Sequence, residues 1–212
     1  MDETIFTIIR SIYISGTATL IALPIGIFLA YRLALRGISE WASTFLESFA
    51  GFPTVVLGLI LYFILSSSGP LGYFHILYTP IAIIIGEAIL VIPIVASIGY
   101  RLLREKVLRI SELTTTLGGT KNQNMLILIQ ETFNGLLATT VMAFSRAIGE
   151  LGVALMVGGN ISGYTRVMTT AIALQISKGM FSDSLQLGLA LVAIMVVIGI
   201  ALKVLGGSLE VD

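Results

Sequence analysis

The chain has no cysteine and a single histidine, His75. Without cysteine there is no disulfide framework, no thiol nucleophile and no thiolate metal site. One histidine cannot build a histidine metal cluster. Charge is scarce as well: 11% of the 212 residues are Asp, Glu, Lys or Arg, against about 25% in ordinary soluble domains. The 12 basic and 12 acidic residues cancel, so no bulk field draws in nucleic acid or acidic substrates. No polar stretch is long enough to form a soluble domain. No GxxxxGK[ST] pattern occurs; Gly118 to Lys121 (GGTK) lacks the upstream glycine and the following hydroxyl. If ATP drives this chain, another chain hydrolyses it. The first residues include Asp2 and Glu3, whereas a cleavable signal peptide begins with a basic region, so the first apolar segment is expected to be retained.

What is abundant is apolar sequence, 56% of the chain. A membrane span takes about 20 such residues. The hydropathy pattern predicts an all-α, polytopic bundle of about five spans forming a single domain. The spans run from about Thr4 to Tyr31, Ala42 to Leu65, Pro80 to Tyr100, Phe133 to Val157 and Ser184 to Leu205. The apolar stretch Val167 to Ile176 is too short to cross and reads as a re-entrant or interfacial helix. In the first span Ala18, Ala22, Gly26 and Ala30 recur every four residues, a small-residue face that lets another helix approach closely. Pro24, Pro53 and Pro93 each fall inside an expected span. Lys and Arg in the connections set the orientation. Arg32 and Arg36 mark the first connection as cytoplasmic, Arg101 to Lys121 the third, and Lys203 the C-terminal end. The connection from Ser66 to Thr79 has neither Lys nor Arg. Five spans then put the N-terminus outside and the C-terminus in the cytoplasm.

The longest charged connection, Arg104 to Lys121 (REKVLRISELTTTLGGTK), reads as an amphipathic hairpin. Arg104, Lys106, Arg109 and Lys121 crowd it with positive charge. Val107, Leu108, Leu113 and Leu117 give it an apolar stripe, which Gly118 and Gly119 end. Such a segment suits contact with a soluble partner, or it is a solvated loop. Glu112 followed six residues later by Gly118 resembles the cytoplasmic coupling motif of ABC-transporter permeases, which begins Glu-Ala-Ala and has a glycine at that distance. Here Leu113 and Thr114 replace the two alanines.

Two further groups carry polar chemistry. Arg146 and Glu150 are four residues apart and share a helix face, as a gating pair or as a structural ion pair that neutralises itself or reaches across to Glu87. The loop after them contains Gly158, Gly159 and Gly163, with donors from Asn160, Ser162, Thr165, Thr169 and Thr170 around Arg166. Neutral donors about one cation suit an anion that must be released again; the same residues also suit an external turn capped by hydroxyls.

The stretch Phe144 to Gly179, FSRAIGELGVALMVGGNISGYTRVMTTAIALQISKG, resembles the permease subunit of tungstate ABC importers, close to the molybdate and sulfate permeases. GGNISGYTRVMTTAI is its most specific part, and length and span order agree along the chain. The resemblance implies a type I importer fold and a homodimer of permeases. It also implies two cytoplasmic ATP-binding subunits that use ATP and Mg, and an external oxyanion-binding protein. This chain itself would hold no cofactor or metal and would not be an enzyme. The implied coupling segment is 104–124, with Arg109, Glu112, Leu113, Leu117 and Gly118 against the ATPase. Arg146, Glu150, Asn160, Ser162, Thr165, Arg166, Thr169 and Thr170 are the candidates for the path or its external gate. Two other readings stand beside it: an ion-coupled carrier using Glu87, Arg146 and Glu150 as a relay, and a membrane scaffold that moves nothing.

Overall fold

A computed structural model describes residues 3–37, 44 and 47–208, and among these there are helices and turns but no strand. The main α-helices among the described residues are, in order, α1 (Glu3–Arg36), α2 (Thr54–Leu65), α3 (Pro80–Thr116), α4 (Lys121–Ile148), α5 (Gly152–Gly158), α6 (Met168–Ser177) and α7 (Phe181–Ser208). Among the described residues four segments are long and apolar enough to cross a bilayer: α1, Pro80–Arg104 of α3, Gln123–Ile148 of α4 and Phe181–Val204 of α7. The protein is a polytopic helical membrane protein.

α3 is the central element. The small-residue face of α1 packs on it, with Ala18, Ala22 and Ala30 fully buried. The approach is close enough to exclude side chains. A β-carbon on Gly26 would sit 2.6 Å from Val95 Cβ, and one on Gly99 would sit 2.9 Å from Ala30 Cβ. In lipid this packing replaces the hydrophobic drive that a helix pair has in water. Around the pair Ile14, Leu61, Ile83, Val153 and Val157 form a core towards one end. Tyr100, Leu103, Val107 and Leu128 form another towards the opposite end. α7 is apolar on every side and mostly exposed, as suits a helix that meets lipid or a partner.

Three boundaries differ from those expected. The second span does not run unbroken to Leu65: Phe49–Gly51 is a 3-10 turn, Pro53 is extended (φ −63°, ψ 110°), and α2 has 12 residues. Proline is tolerated at a helix entrance and breaks a helix interior, so the helix starts after it. The start expected at Ala42 lies outside the described residues. The fourth span likewise stops at Ile148, with Gly149 to Leu151 separating α4 from α5. The basic segment is no separate hairpin after the third span. It is the end of the same 37-residue helix, about 55 Å long at 1.5 Å per residue. That is nearly twice the hydrocarbon thickness of roughly 30 Å, so the last turns of α3 project beyond it.

Candidate functional site

The projecting end of α3 turns back into α4 by a fully specified stop and start. Gly118 N–H donates to Thr115 O at 3.0 Å and Gly119 N–H donates to Thr114 O at 2.7 Å. This is the double closure of a helix C-terminus on a left-handed residue. Gly118 is that residue (φ +73°). Gly119 is held by space instead: a β-carbon there would lie 2.5 Å from Thr114 Cγ2. Thr120 then opens α4 with a capping box. Its backbone N–H donates to Gln123 Oε1 at 2.7 Å, and its hydroxyl accepts from Gln123 N–H at 3.4 Å. The Thr-x-x-Gln spacing of Thr120 and Gln123 is the sequence signature of this cap.

Around this turn Glu112, Leu113, Leu117 and Gly118 are exposed, Leu117 at 85%. Val107, from the same expected stripe, instead faces inward and is fully buried. Between α3 and α4 an open groove of about 730 Å³ is lined by Arg109, Leu113, Leu117, Leu126 and Ile127, with Lys106 and Glu131 also on its wall. Exposed leucines on a segment that projects past the apolar layer are what a docking surface requires.

Arg146 and Glu150 do meet, with Nη1 2.5 Å from Oε2. Arg146 is in the last turn of α4, but Glu150 lies in the break between helices. There it serves three groups. Oε2 takes the guanidinium, Oε1 accepts from Val153 N–H at 3.1 Å, and its carbonyl accepts from the Thr169 hydroxyl at 2.8 Å. Glu87, on α3, is buried within electrostatic reach of both partners of the pair and faces Ser15 on α1. Its Oε2 has no hydrogen-bond partner among the described residues.

The remaining loop residues fall into two sets. Thr165 and Thr170 are fully buried and close backbone groups. The Thr165 hydroxyl donates to Gly158 O at 2.5 Å and accepts from Ile161 N–H at 2.9 Å. The Thr170 hydroxyl donates to Val167 O at 3.0 Å and accepts from Val167 N–H at 3.1 Å, capping α6. Ser162 and Arg166 meet instead at Glu3, at the start of α1, and Asn160 accepts from Arg166. Arg166 Nη1 donates to Glu3 Oε1 at 2.9 Å, and the Ser162 hydroxyl donates to the same oxygen. Arg10 Nη1 donates to Arg166 O at 2.9 Å, and Ser11 Oγ accepts from Met168 N–H at 2.7 Å. The roles of Glu3 and Ser11 have no local signature, because both contacts span more than 150 residues. The donors expected in this loop are thus engaged within the chain. The residues expected to couple stand at the far end of α3 from the connection that contains Tyr78. That residue ties its connection to the end of α5 by donating its N–H to Val157 O at 2.8 Å.

Comparison with known proteins agrees with this architecture. The family described as binding-protein-dependent transport system inner membrane component matches residues 22–210. The tungstate uptake system permease protein TupB of Peptoclostridium acidaminophilum is 40% identical over 203 residues, 91% of this chain and 86% of that protein. A probable anion ABC transporter permease protein of Haloferax volcanii is 31% identical over 203 residues, 92% of this chain and 86% of that protein. The molybdenum transport system permease protein ModB of Escherichia coli K12 is 29% identical over 178 residues, 78% of this chain and 76% of that protein. With the family matched along most of its length, the chain belongs to the inner membrane components of binding-protein-dependent transport systems.

Proposed function

We propose that this chain is the permease subunit of an ATP-driven ABC importer for a tetrahedral oxyanion, with tungstate as the first choice and molybdate and sulfate as the alternatives. The observation that carries the choice of ion is the 40% identity to a tungstate uptake permease over nine-tenths of the chain. In this reading two copies of the chain enclose the path, since one copy with four long helices is too small to surround one. Two ATP-binding subunits sit on the cytoplasmic side and hydrolyse MgATP. An external binding protein delivers the ion. The N-terminus of α1 is external and the C-terminus of α7 is cytoplasmic, as the Lys and Arg distribution favours.

The groove between α3 and α4 supports a docking role for Arg109, Glu112, Leu113, Leu117 and Gly118, because its apolar wall is exposed on a rigid projecting turn. The loop from Asn160 to Thr170 forms part of the external entrance, with Arg166 as its cation. The test is uptake in vesicles holding this chain with an ABC-type ATP-binding subunit, supplied with an oxyanion-binding protein and tungstate. ATP-dependent accumulation is expected, with molybdate and sulfate as graded competitors. Accumulation that follows an ion gradient and ignores ATP would establish the carrier reading instead. No accumulation under either drive would leave the scaffold.

A further inference from the structure

The guanidinium of Arg166 is oriented by its own loop before Glu3 is considered. Asn160 Oδ1 accepts from Nε at 3.1 Å and Asn160 O accepts from Nη2 at 3.4 Å. Thr165 closes the turn beneath it. What remains is Nη1, and beside it the Ser162 hydroxyl. Both point at one oxygen of a carboxylate that arrives from 163 residues away, Glu3 Oε1. A guanidinium and a hydroxyl converging on one anionic oxygen bind a carboxylate and an oxyanion by the same charge-assisted hydrogen bonds.

A cavity of about 160 Å³ adjoins this contact, lined by Glu3, Thr4, Thr7, Arg166, Gln175 and Lys178 among others. A water's share of liquid volume is roughly 30 Å³, so the space suits a five-atom tetrahedral ion. Gln175 contributes an amide oxygen that is shielded from solvent and lacks a partner. The two ends of an amide are exchangeable in assignment, and the other orientation offers an N–H there. Lys178 adds a second cation on the cavity wall. Arg10 acts on Glu3 electrostatically as well. Three cations against Glu3 and a dianion leave the cluster neutral.

We propose that Glu3 is a tethered stand-in for the transported ion: its carboxylate fills the place at Arg166 and Ser162 that one edge of a tetrahedral dianion takes, and the ion enters the adjoining cavity by displacing it. The inference rests on the reading of this chain as an oxyanion permease with its entrance at this loop. Its physical logic is release. An uncovered Arg–Lys pair would hold a dianion too firmly for conduction. A carboxylate on a short tether competes at an effective concentration on the order of millimolar, and it returns as the ion leaves.

The experiment is titration calorimetry of the purified full chain with sodium tungstate. Glu3→Gln keeps the shape and one oxygen able to accept from both Arg166 and Ser162, but removes the charge. If the carboxylate fills its place about nine-tenths of the time, removing it lowers the apparent Kd about ten-fold. Glu3→Asp, which shortens the arm by one methylene, is expected to give an intermediate gain. Adding Arg166→Gln to Glu3→Gln is expected to abolish binding. Thermal melts of each variant establish that it is folded, and Glu3→Asp provides the reading if Glu3→Gln is not. Unchanged or weaker tungstate binding in the folded Glu3 variants overturns the proposal, as does gain that survives Arg166→Gln. ATP-driven uptake by the unaltered assembly together with such a result sinks the stand-in alone. Absence of uptake of any oxyanion sinks the permease reading, whatever the titration gives.

Discussion

Removing either partner of the Arg146–Glu150 pair is predicted to destabilise the protein unequally, with loss of the arginine the worse change. The two side chains are 30% and 2% exposed, and Glu87 beside them is 1% exposed. Arg146→Met leaves the buried Glu150 carboxylate with no cation, next to a second buried acidic side chain, Glu87. Glu150→Gln leaves an arginine that reaches solvent in part and still has Glu87 within electrostatic range. Glutamine also keeps an acceptor for Val153 N–H, so the change isolates charge from capping. Breaking a buried pair costs about 3–5 kcal/mol. Arg146→Met falls within that range at about 4 kcal/mol. Solvent screening of the exposed guanidinium brings Glu150→Gln down to about 2 kcal/mol. At roughly 2–4 °C per kcal/mol for a chain of this size, the apparent Tm falls by about 12 °C and about 6 °C respectively. The double variant should recover part of the larger loss. The assay is a thermal scan of detergent-solubilised protein by fluorescence-detected gel filtration at one fixed heating rate, since such unfolding is governed by rate. A Glu150→Gln loss equal to or larger than that of Arg146→Met refutes this ordering. Normal Tm in both, with transport lost, would make the pair a gate.

Gly118→Val forces a β-branched residue into φ +73° and should disrupt the turn while the spans still insert; ATP hydrolysis by the assembly is expected to persist without uptake. Gly26→Val drives a side chain into Val95, 2.6 Å from the nearest β-carbon, and should lower yield and Tm by more than the about 1–3 kcal/mol of ordinary overpacking. Single cysteines at Ser68 and Ser162, both exposed, should react with an impermeant reagent on intact cells, while one at Ser208 should not; the absence of native cysteine makes the readout clean. Labelling at Ser208 without labelling at Ser162 would reverse the orientation.

Local periodicity made part of this fold legible. The four-residue spacing of Ala18, Ala22, Gly26 and Ala30 identified the face of closest approach, and Gly118-Gly119 identified a helix stop. Hydropathy misled where it was taken for a helix boundary. Charge begins at Arg101, but nothing from there to Thr116 breaks a helix, so α3 continues through the membrane edge. The family resemblance located the polar loop, and residue types identified its donors. Neither could indicate where the hydroxyls point, because Thr165 and Thr170 are oriented by backbone groups that only the folded turn brings near. The link from Glu3 to Arg166 joins residues 163 positions apart and has no local pattern to betray it.

The two interruptions missed by hydropathy are neighbours, and that bears on function. A β-carbon on Gly152 would lie 2.6 Å from Thr54 Oγ1 and 2.9 Å from Val55 N, so α2 and α5 begin side by side. They stay together, since a β-carbon on Gly58 would lie 2.9 Å from Met156 Cβ. A continuous helix satisfies every backbone group within itself, and a break at membrane depth must find other partners. Here Glu150 N–H donates to Ala147 O at 3.0 Å, the Glu150 carboxylate takes Val153 N–H, and Thr169 closes the Glu150 carbonyl. Three hydrogen bonds thus maintain one interruption. A chain that only anchored a complex would gain nothing from two broken helices and a buried carboxylate to repair one of them. Breaks persist in membrane proteins where the backbone is packed in protein or lines a path. The paired interruptions at Pro53 and Gly149 to Leu151 therefore weigh against the scaffold and on the side of translocation, independently of any likeness in sequence.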